Sequence, residues 1–125
     1  MEVRNVIIRI GGLKSALREA AEVMEKVKRG EKVTPKSSIG FESIDTLRRV
    51  LTPKRLELLK MIKEKSPDSI YELAKIVDRD LKSVTTDIKV LEEYWLISLE
   101  KSKKGRSRVK PEVDFDMLKV EIALA

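Results

Sequence analysis

The sequence contains no cysteine, no histidine and no glutamine, and its single asparagine is Asn5. Without thiol and imidazole groups the chain builds no cysteine nucleophile, no histidine general base and no zinc site of the usual kinds. The remaining titratable side chains show no spacing typical of acid and base catalysis. We therefore expect a protein that is not an enzyme and that holds no cofactor and no metal ion.

Long apolar runs are also missing from the sequence. No stretch approaches the roughly 20 apolar residues of a membrane-spanning helix, and the first residues lack the apolar core of a secretory signal. We expect a cytoplasmic protein with no membrane partner. Aromatic residues make up only 4% of the chain, too few for the stacking platforms that bind single-stranded nucleic acid. The scarcity of amides beside abundant Lys and Glu indicates a thermophilic source, because heat deamidates amides and favours ion-pair networks.

Charge is abundant, at 38% of residues, and the balance of 27 Lys and Arg against 21 Asp and Glu gives a net charge of +6. The 125 residues, 42% of them hydrophobic, suffice for one compact domain with a small appendage. Six cations and no acid occur between residues 101 and 110: Lys101, Lys103, Lys104, Arg106, Arg108 and Lys110. This basic segment is either a solvated face or an anion-binding site.

The N-terminal part of the sequence predicts a strand followed by a helix. Residues 3–10 are rich in β-branched side chains and end at Gly11. Residues 13–29 repeat apolar side chains at alternating spacings of four and three, which predicts an amphipathic helix that Gly30 ends. The same spacing suits a coiled-coil seam, so packing against the domain and a dimer contact both stay open. The stripe consists of Leu13, Leu17, Ala20, Met24 and Val27.

A boundary follows this extension. Residues 31–42 have no periodicity and include Pro35 and Gly40, which predicts a linker or loop. We divide the chain into an N-terminal strand-helix extension with its linker, residues 1–40, which is a candidate dimerisation element, and a second domain, residues 41–125.

Four helix starts are visible in the second domain. Ser43 and Thr52 are N-cap candidates, the second followed by proline at the first helical position and a helix to about residue 65. Ser69 and Glu72 have the spacing of a capping box, which opens a short helix to residue 77. Asp80 caps a last helix, residues 81–94. This helix buries Val84, Ile88 and Leu91.

A basic hairpin follows the last helix. The apolar run beginning at Leu96 predicts a strand, the basic segment with Gly105 near its middle predicts a turn, and residues 109–124 return through extended segments. Two helices joined by a three-residue turn and then a basic hairpin are the layout of a winged helix-turn-helix. The predicted fold class is therefore α+β and mainly helical, with a basic β-hairpin wing at about residues 97–113.

A string of residues in the second domain matches a known family pattern: Phe41-Glu42-Ser43, Leu51-Thr52-Pro53-Lys54-Arg55, Ser69-Ile70-Tyr71-Glu72-Leu73-Ala74, Arg79-Asp80, Val84, Asp87, Leu91 and Leu96-Ile97. With these residues, the segment 41–125 resembles archaeal predicted transcriptional regulators with a winged helix-turn-helix, distant relatives of the MarR-type and ArsR-type repressors. The resemblance implies a DNA-binding regulator that is often dimeric, and for some members a role beside a toxin gene.

We expect a sequence-specific regulator that binds double-stranded DNA as a homodimer. The helix at residues 81–94 enters the major groove, and the wing lies on the backbone. The bases are read by Lys82, Ser83, Thr85 and Thr86, and the phosphates are held by Arg79, Lys89, Lys103, Lys104, Arg106 and Arg108. The alternative is a winged-helix adaptor or antitoxin-like protein, whose partner is a protein such as a toxin and whose DNA affinity is nonspecific.

Several side chains in this region have open roles. Asp87 either pairs with a nearby cation or accepts from a cytosine amine, and Arg79 either clamps a phosphate or pairs with Asp78 or Asp80. Asp78 stands where glycine is usual, and Asp tolerates the left-handed conformation better than most residues. Trp95 stands where many winged domains have glycine, so we expect the helix to end differently and Trp95 to pack under the wing. Asp114 and Asp116 are expected to pair with the basic wing.

Overall fold

The computed structural model describes residues 4–11, 13–31, 38–101 and 108–124. The α+β class is confirmed. In chain order the elements are β1 Asn5–Ile10, α1 Leu13–Lys28, β2 Ser38–Phe41, α2 Ile44–Val50, α3 Pro53–Lys65, α4 Ile70–Ile76, α5 Leu81–Glu93, β3 Ser98–Lys101, β4 Val109–Glu112 and β5 Met117–Ile122. Within the described ranges, no helix is long and apolar enough to cross a membrane.

Contacts divide the chain into two compact units, Met1–Leu47 together with Met117–Ala125, and Arg48–Asp116. The first unit contains a sheet of three parallel strands in the order β2-β1-β5. The central strand alternates as a half-buried strand should, with Val6, Ile8 and Ile10 buried on one face and Arg9 on the other. Arg9 donates a hydrogen bond to Glu19 of α1 and so links that face to the helix.

The sheet differs from the sequence prediction at both of its edges. The predicted N-terminal strand and helix are confirmed, but β2 lies inside the region predicted as a linker, so that prediction is wrong for residues 38–41. Four residues are too few to show a period, and the strand is defined by its pairing with β1. The pairing of β5 with β1, which joins Asn5 to Met117, was not predicted.

The helix starts of the second unit follow the predicted caps. The Thr52 hydroxyl accepts from the Arg55 amide at 3.2 Å, and the Ser69 hydroxyl accepts from the Glu72 amide at 3.0 Å. The capping box differs in one bond, because the Glu72 carboxylate accepts from the Asp68 amide instead of the Ser69 amide. The buried residues of this unit are Val50, Leu58, Leu59, Ile62, Pro67, Leu73, Ala74, Val84, Ile88, Leu91, Leu96, Ile97, Pro111 and Phe115.

Three helices end in the same hydrogen-bonded turn with three different residues in the left-handed position. The residues are Gly30 after α1, Asp78 after α4 and Trp95 after α5, with φ of 73°, 52° and 63°. In each turn the left-handed residue and the residue after it donate back to carbonyls of the last helical turn, as in a Schellman motif. The expected left-handed Asp78 is confirmed.

The prediction for Trp95 is wrong on both counts. The residue adopts the left-handed conformation, and 85% of its surface is exposed, so it does not pack under the hairpin. The amide of Leu96 donates to the carbonyl of Leu91, and both leucine side chains are buried. Burial of this leucine pair offsets the roughly 1 to 2 kcal/mol that a left-handed non-glycine residue costs.

Candidate functional site

The turn between α4 and α5 is defined by hydrogen bonds at both of its ends. On the α4 side, the amides of Asp78 and Arg79 donate to the carbonyls of Lys75 and Ala74. On the α5 side, the carboxylate of Asp80 accepts from the Ser83 amide at 3.3 Å, as predicted for an N-cap. Because both ends are capped, the three-residue turn fixes the direction in which α5 leaves α4.

The outward face of α5 is polar. The helix buries Val84, Ile88 and Leu91, as predicted. Among the residues predicted to face outward, Thr85 is half-buried. The exposed ones are Lys82, Ser83, Thr86 and Lys89.

Two threonine hydroxyls on this face donate hydrogen bonds to backbone carbonyls of α5. The Thr85 hydroxyl donates to the Leu81 carbonyl at 2.7 Å, and the Thr86 hydroxyl donates to the Lys82 carbonyl at 2.9 Å. Each oxygen keeps its acceptor lone pairs, and each side chain keeps its methyl group. Both threonines therefore offer acceptors and apolar contact to a ligand, whereas Ser83 has a hydroxyl for which no backbone partner is seen in the described chain.

Asp87 on α5 is held by two arginines from different elements. Its Oδ1 accepts from Nε of Arg55 on α3 at 3.0 Å, and its Oδ2 accepts from Nη2 of Arg79 at 2.7 Å. Only 15% to 19% of each of the three side chains is exposed. Nη1 of Arg55 also donates to the carbonyls of Arg49 and Val50 at the end of α2. This Asp87 network therefore joins α2, α3, the α4–α5 turn and α5.

The network involves two side chains whose roles the sequence left open. Asp87 pairs with cations, which confirms one of its two predicted roles. Arg79 pairs with an acid too, but the acid is Asp87 and not Asp78 or Asp80. The pairing of Arg55 with Asp87 was not predicted, because Arg55 lies 32 residues before Asp87 and no local spacing connects the two.

Charge on the outward face of α5 changes sign along the helix. Lys82 and Lys89 lie in its first three turns, and the exposed acids Glu92 and Glu93 lie at its end. The third acid, Asp87, is neutralised by Arg55 and Arg79. A polyanion is therefore attracted to the beginning of α5 and repelled from its end.

The predicted hairpin is present as an antiparallel pair, β3 with β4, in the register Ser98↔Glu112 to Lys101↔Val109. Arg108 is exposed, and Lys110 lies 4.0 Å from Glu112. The tip residues Lys103, Lys104 and Arg106, which carry much of the predicted phosphate contact, lie outside the described residues. Asp116 pairs with Lys63 of α3 at 3.0 Å, an interaction that the sequence did not indicate.

The family model HVO_A0114 matches residues 50–120, which is more than half of the chain. The chain belongs to the HVO_A0114 family. The segment matched by HVO_A0114 contains α3, α4, α5, the hairpin and all three members of the Asp87 network. It leaves out β1, α1 and β2. No protein of curated function matches the chain, so the function of this HVO_A0114 protein is inferred from its geometry.

Opposing effects act on the pKa of Asp87 in this HVO_A0114 segment. Burial raises the pKa of the carboxyl, while hydrogen bonds and positive charge from Arg79 and Arg55 lower it by more. The net result is a pKa below the ordinary value of 3.8. The carboxylate is therefore charged in the folded protein at neutral pH, and the network stabilises the fold.

Acid is expected to remove this stabilisation. A carboxyl whose pKa is lower in the folded state stabilises the fold above the unfolded pKa of 3.8, and the contribution is lost as the pH falls through the folded pKa. Denaturant unfolding between about pH 6 and about pH 2 should show that the stability difference between the native protein and Asp87→Asn shrinks with acid. Other carboxyls titrate in both proteins and cancel. A difference that stays constant over this range would contradict the assigned pKa.

Proposed function

We propose that this protein is a transcriptional regulator that binds double-stranded DNA through a winged helix-turn-helix formed by α3, α4, α5 and the β3–β4 hairpin. The observation that carries the proposal is the outward face of the first three turns of α5. Cations and hydroxyls lie there, and the one acid in those turns, Asp87, is turned toward Arg55 and Arg79. A phosphate backbone therefore meets no uncompensated carboxylate from these three turns, and the Asp80 carboxylate just before them accepts from the Ser83 amide.

The polar side chains of this face are proposed to recognise bases. A major groove about 12 Å wide admits one helix, and short polar side chains let that helix approach the base edges. Lys82 donates to guanine, Ser83 accepts from or donates to either type of base, and the methyl groups of Thr85 and Thr86 contact thymine. These four residues are proposed to choose the sequence.

Other cations are proposed to hold the backbone. Lys89 lies one turn beyond Thr85, and Arg108 is exposed at the start of β4. They contact phosphates together with the hairpin cations Lys103, Lys104 and Arg106. Such contacts release counterions, so they supply affinity and salt dependence and carry no sequence information. Arg79 is proposed to contribute through Asp87, which it bonds at 2.7 Å, and by its positive charge.

The regulator is proposed to act in the cytoplasm as a homodimer on a pseudo-palindromic site. The test is selection from random duplex DNA at physiological salt, with sequencing of the retained molecules. We expect a two-fold symmetric motif with half-sites about 10 base pairs apart. If no motif emerges and retention disappears with modest added salt, the proposal is wrong. The adaptor function, with a protein partner such as a toxin, then replaces it.

Replacing Thr86 with leucine is expected to change which bases are selected. Thr86 is exposed, and the bulkier side chain removes a polar contact and fills the space before the base edges. We expect a changed preference at one or two adjacent positions of each half-site, worth about 1 to 3 kcal/mol. Thr86→Ser, which keeps the hydroxyl and loses only the methyl group, is the comparison and should lower the preference for thymine without selecting a new base. Equal weakening of all sequences by Thr86→Leu would contradict a role in base recognition.

A further inference from the structure

The outer edge of β5 is open to another strand. Within the described residues the three-stranded sheet has the order β2-β1-β5, so β5 has a neighbouring strand on one side only. Helix α1 lies toward the other edge of the sheet, where its Ala20 and Met24 line a cavity with Gly40 of β2. Residues 119–124 are all exposed. An uncovered edge strand presents unpaired amides and carbonyls that a further strand can bind.

The hydrogen bonds of β5 identify which of its backbone groups face this edge. The amides of Met117 and Ala123 donate to carbonyls at the two ends of the β1 segment, at 3.3 and 2.9 Å. Successive residues of a strand direct their backbone groups to opposite sides, so the odd-numbered residues of β5 face β1. The amides and carbonyls of Leu118, Val120 and Ile122 therefore face outward.

The side chains of the same three residues form an apolar row. Val120 and Ile122 are 49% and 51% exposed, and Leu118 is partly buried. The row lies on the buried face of β1, because Val120 is paired with Ile8 and Ile122 with Ile10. Half-exposed apolar side chains at a sheet edge become buried when a further strand continues the same face.

The opposite face of β5 carries one charge of each sign. Lys119 and Glu121 are both exposed there, on either side of Val120. Oε2 of Glu121 lies 3.7 Å from Nε of Arg9, and no ion pair of Lys119 is seen in the described part of the chain. A second β5 that runs antiparallel and is centred on Val120 brings its Glu121 opposite Lys119 and its Lys119 opposite Glu121. The strand is thus complementary in charge to its own antiparallel copy.

We propose that β5 pairs antiparallel with β5 of a second copy of this chain about a two-fold axis at Val120, so that two three-stranded sheets join into one. In this register Val120 meets Val120 of the second copy and Leu118 meets its Ile122, in hydrogen-bonded pairs that use the outward amides and carbonyls. Lys119 and Glu121 occupy the non-hydrogen-bonded pairs, in which facing side chains are closest. The contact is isologous, as a closed dimer requires.

The charges favour this register over its neighbours. Moving the axis by one residue places either Lys119 opposite Lys119 or Glu121 opposite Glu121 of the second copy, and like charges directly opposite one another destabilise a strand pair. Moving the axis by two residues leaves both side chains opposite uncharged residues. The register centred on Val120 alone among these gives two opposite-charge pairs.

The β5 contact rests on the homodimeric part of the proposed function, and it is tested without DNA. Sedimentation of the full chain at increasing concentration should give a mass that approaches twice the 14.3 kDa of one chain. The mass of a single chain at all concentrations would overturn the proposal.

Charge variants test the pairing of Lys119 with Glu121. Lys119→Glu and Glu121→Lys each place two like-charge pairs in the interface, so each should raise the dissociation constant about tenfold. A mixture of the two variants forms only opposite-charge pairs between unlike chains, and its dissociation constant should return to within about threefold of the original. Lys26→Glu makes the same change in net charge on α1 and should leave the dissociation constant unchanged. A mixture as weak as the separate variants would overturn the proposal.

Val120→Pro tests the backbone contact. Proline has no amide, and the amide of Val120 faces away from β1, so the variant removes a central donor of the interface and keeps the pairing of β5 with β1. The dimer should be lost. Val120→Thr keeps the amide and the branched shape, and it should still form the dimer. Circular dichroism of each variant verifies that the secondary structure is retained. A Val120→Pro protein that dimerises like the original would contradict pairing through this edge.

Cross-linking tests the register. The chain has no cysteine, so a single introduced thiol reports only on its own symmetry mate. Val120→Cys lies opposite its mate with Cα atoms about 5.5 Å apart and should form a disulfide-linked dimer. Met117→Cys lies about 20 Å from its mate and should not. A link through residue 117 but not through residue 120 would overturn the register.

The two proposals can fail separately. If the dimer forms through β5 but no DNA motif is selected, the regulator function fails and the β5 contact stands. If a two-fold symmetric motif is selected while the charge and proline variants dimerise like the original protein, the β5 contact fails and the regulator function stands.

Discussion

Replacing Asp87 with alanine is expected to lower the free energy of unfolding by about 2 to 3 kcal/mol. The change leaves Arg55 and Arg79, each less than one-fifth exposed, facing one another without the carboxylate that neutralises them. Removing one member of a fully buried pair costs roughly 3 to 5 kcal/mol, and partial access of water reduces the cost here. Urea denaturation at neutral pH measures the difference.

Two further variants show whether the loss comes from the network. Glu57→Ala removes an exposed carboxylate from α3 and should change stability by less than about 0.5 kcal/mol. Asp87→Asn keeps the shape and removes the charge, so it should fall between the native protein and Asp87→Ala. If Asp87→Ala were no more destabilising than Glu57→Ala, the network would not hold α5 in place.

Neutralising the hairpin cations is expected to have the largest effect on DNA binding. Replacing Lys103, Lys104 and Arg106 with alanine should weaken binding to all sequences about a hundredfold, because three phosphate contacts and their released counterions are lost. The slope of log affinity against log salt should fall by about 2.7. The selected motif should stay the same, since phosphate contacts do not choose bases.

A control with the same change in net charge isolates the hairpin. Replacing Arg29, Lys60 and Lys65 with alanine also removes three exposed cations, but these lie outside α5 and the hairpin. This control should change the salt slope by less than about one unit. If both triple variants weakened binding equally, total charge would matter and the hairpin would have no special role.

Features of the fold that depend on residues close together in the sequence were predicted correctly. The helix starts at Thr52, Ser69 and Asp80 are confirmed because a capping hydroxyl or carboxylate bonds an amide three residues away. The buried face of α5 is confirmed because helical periodicity decides it. Trp95 shows the limit of local preference, since tertiary burial of the leucines beside it overrides the conformational preference of a single residue.

Contacts between distant residues were not accessible from one sequence. Several acids lie at a similar sequence separation from Arg55, and several cations lie at a similar separation from Asp87. The sequence therefore does not identify these two residues as partners. The same applies to β2 and β5, whose pairing with β1 defines them as strands. The sequence therefore predicted which side chains of α5 face outward. The Asp87 network, which orients α5, became visible only in the three-dimensional structure.

The parallel pairing of β1 with β5 has a consequence for synthesis on the ribosome. The strand at Asn5–Ile10 emerges first, and the strand at Met117–Ile122 that completes its edge emerges about a hundred residues later. All of Arg48–Asp116, which forms a compact unit, is translated between them. During that interval β1 carries an unpaired apolar edge, which is a template for aggregation. A transcript truncated before Met117 therefore yields a nascent chain that retains the helices and the hairpin but exposes this edge to other chains and to quality-control proteases.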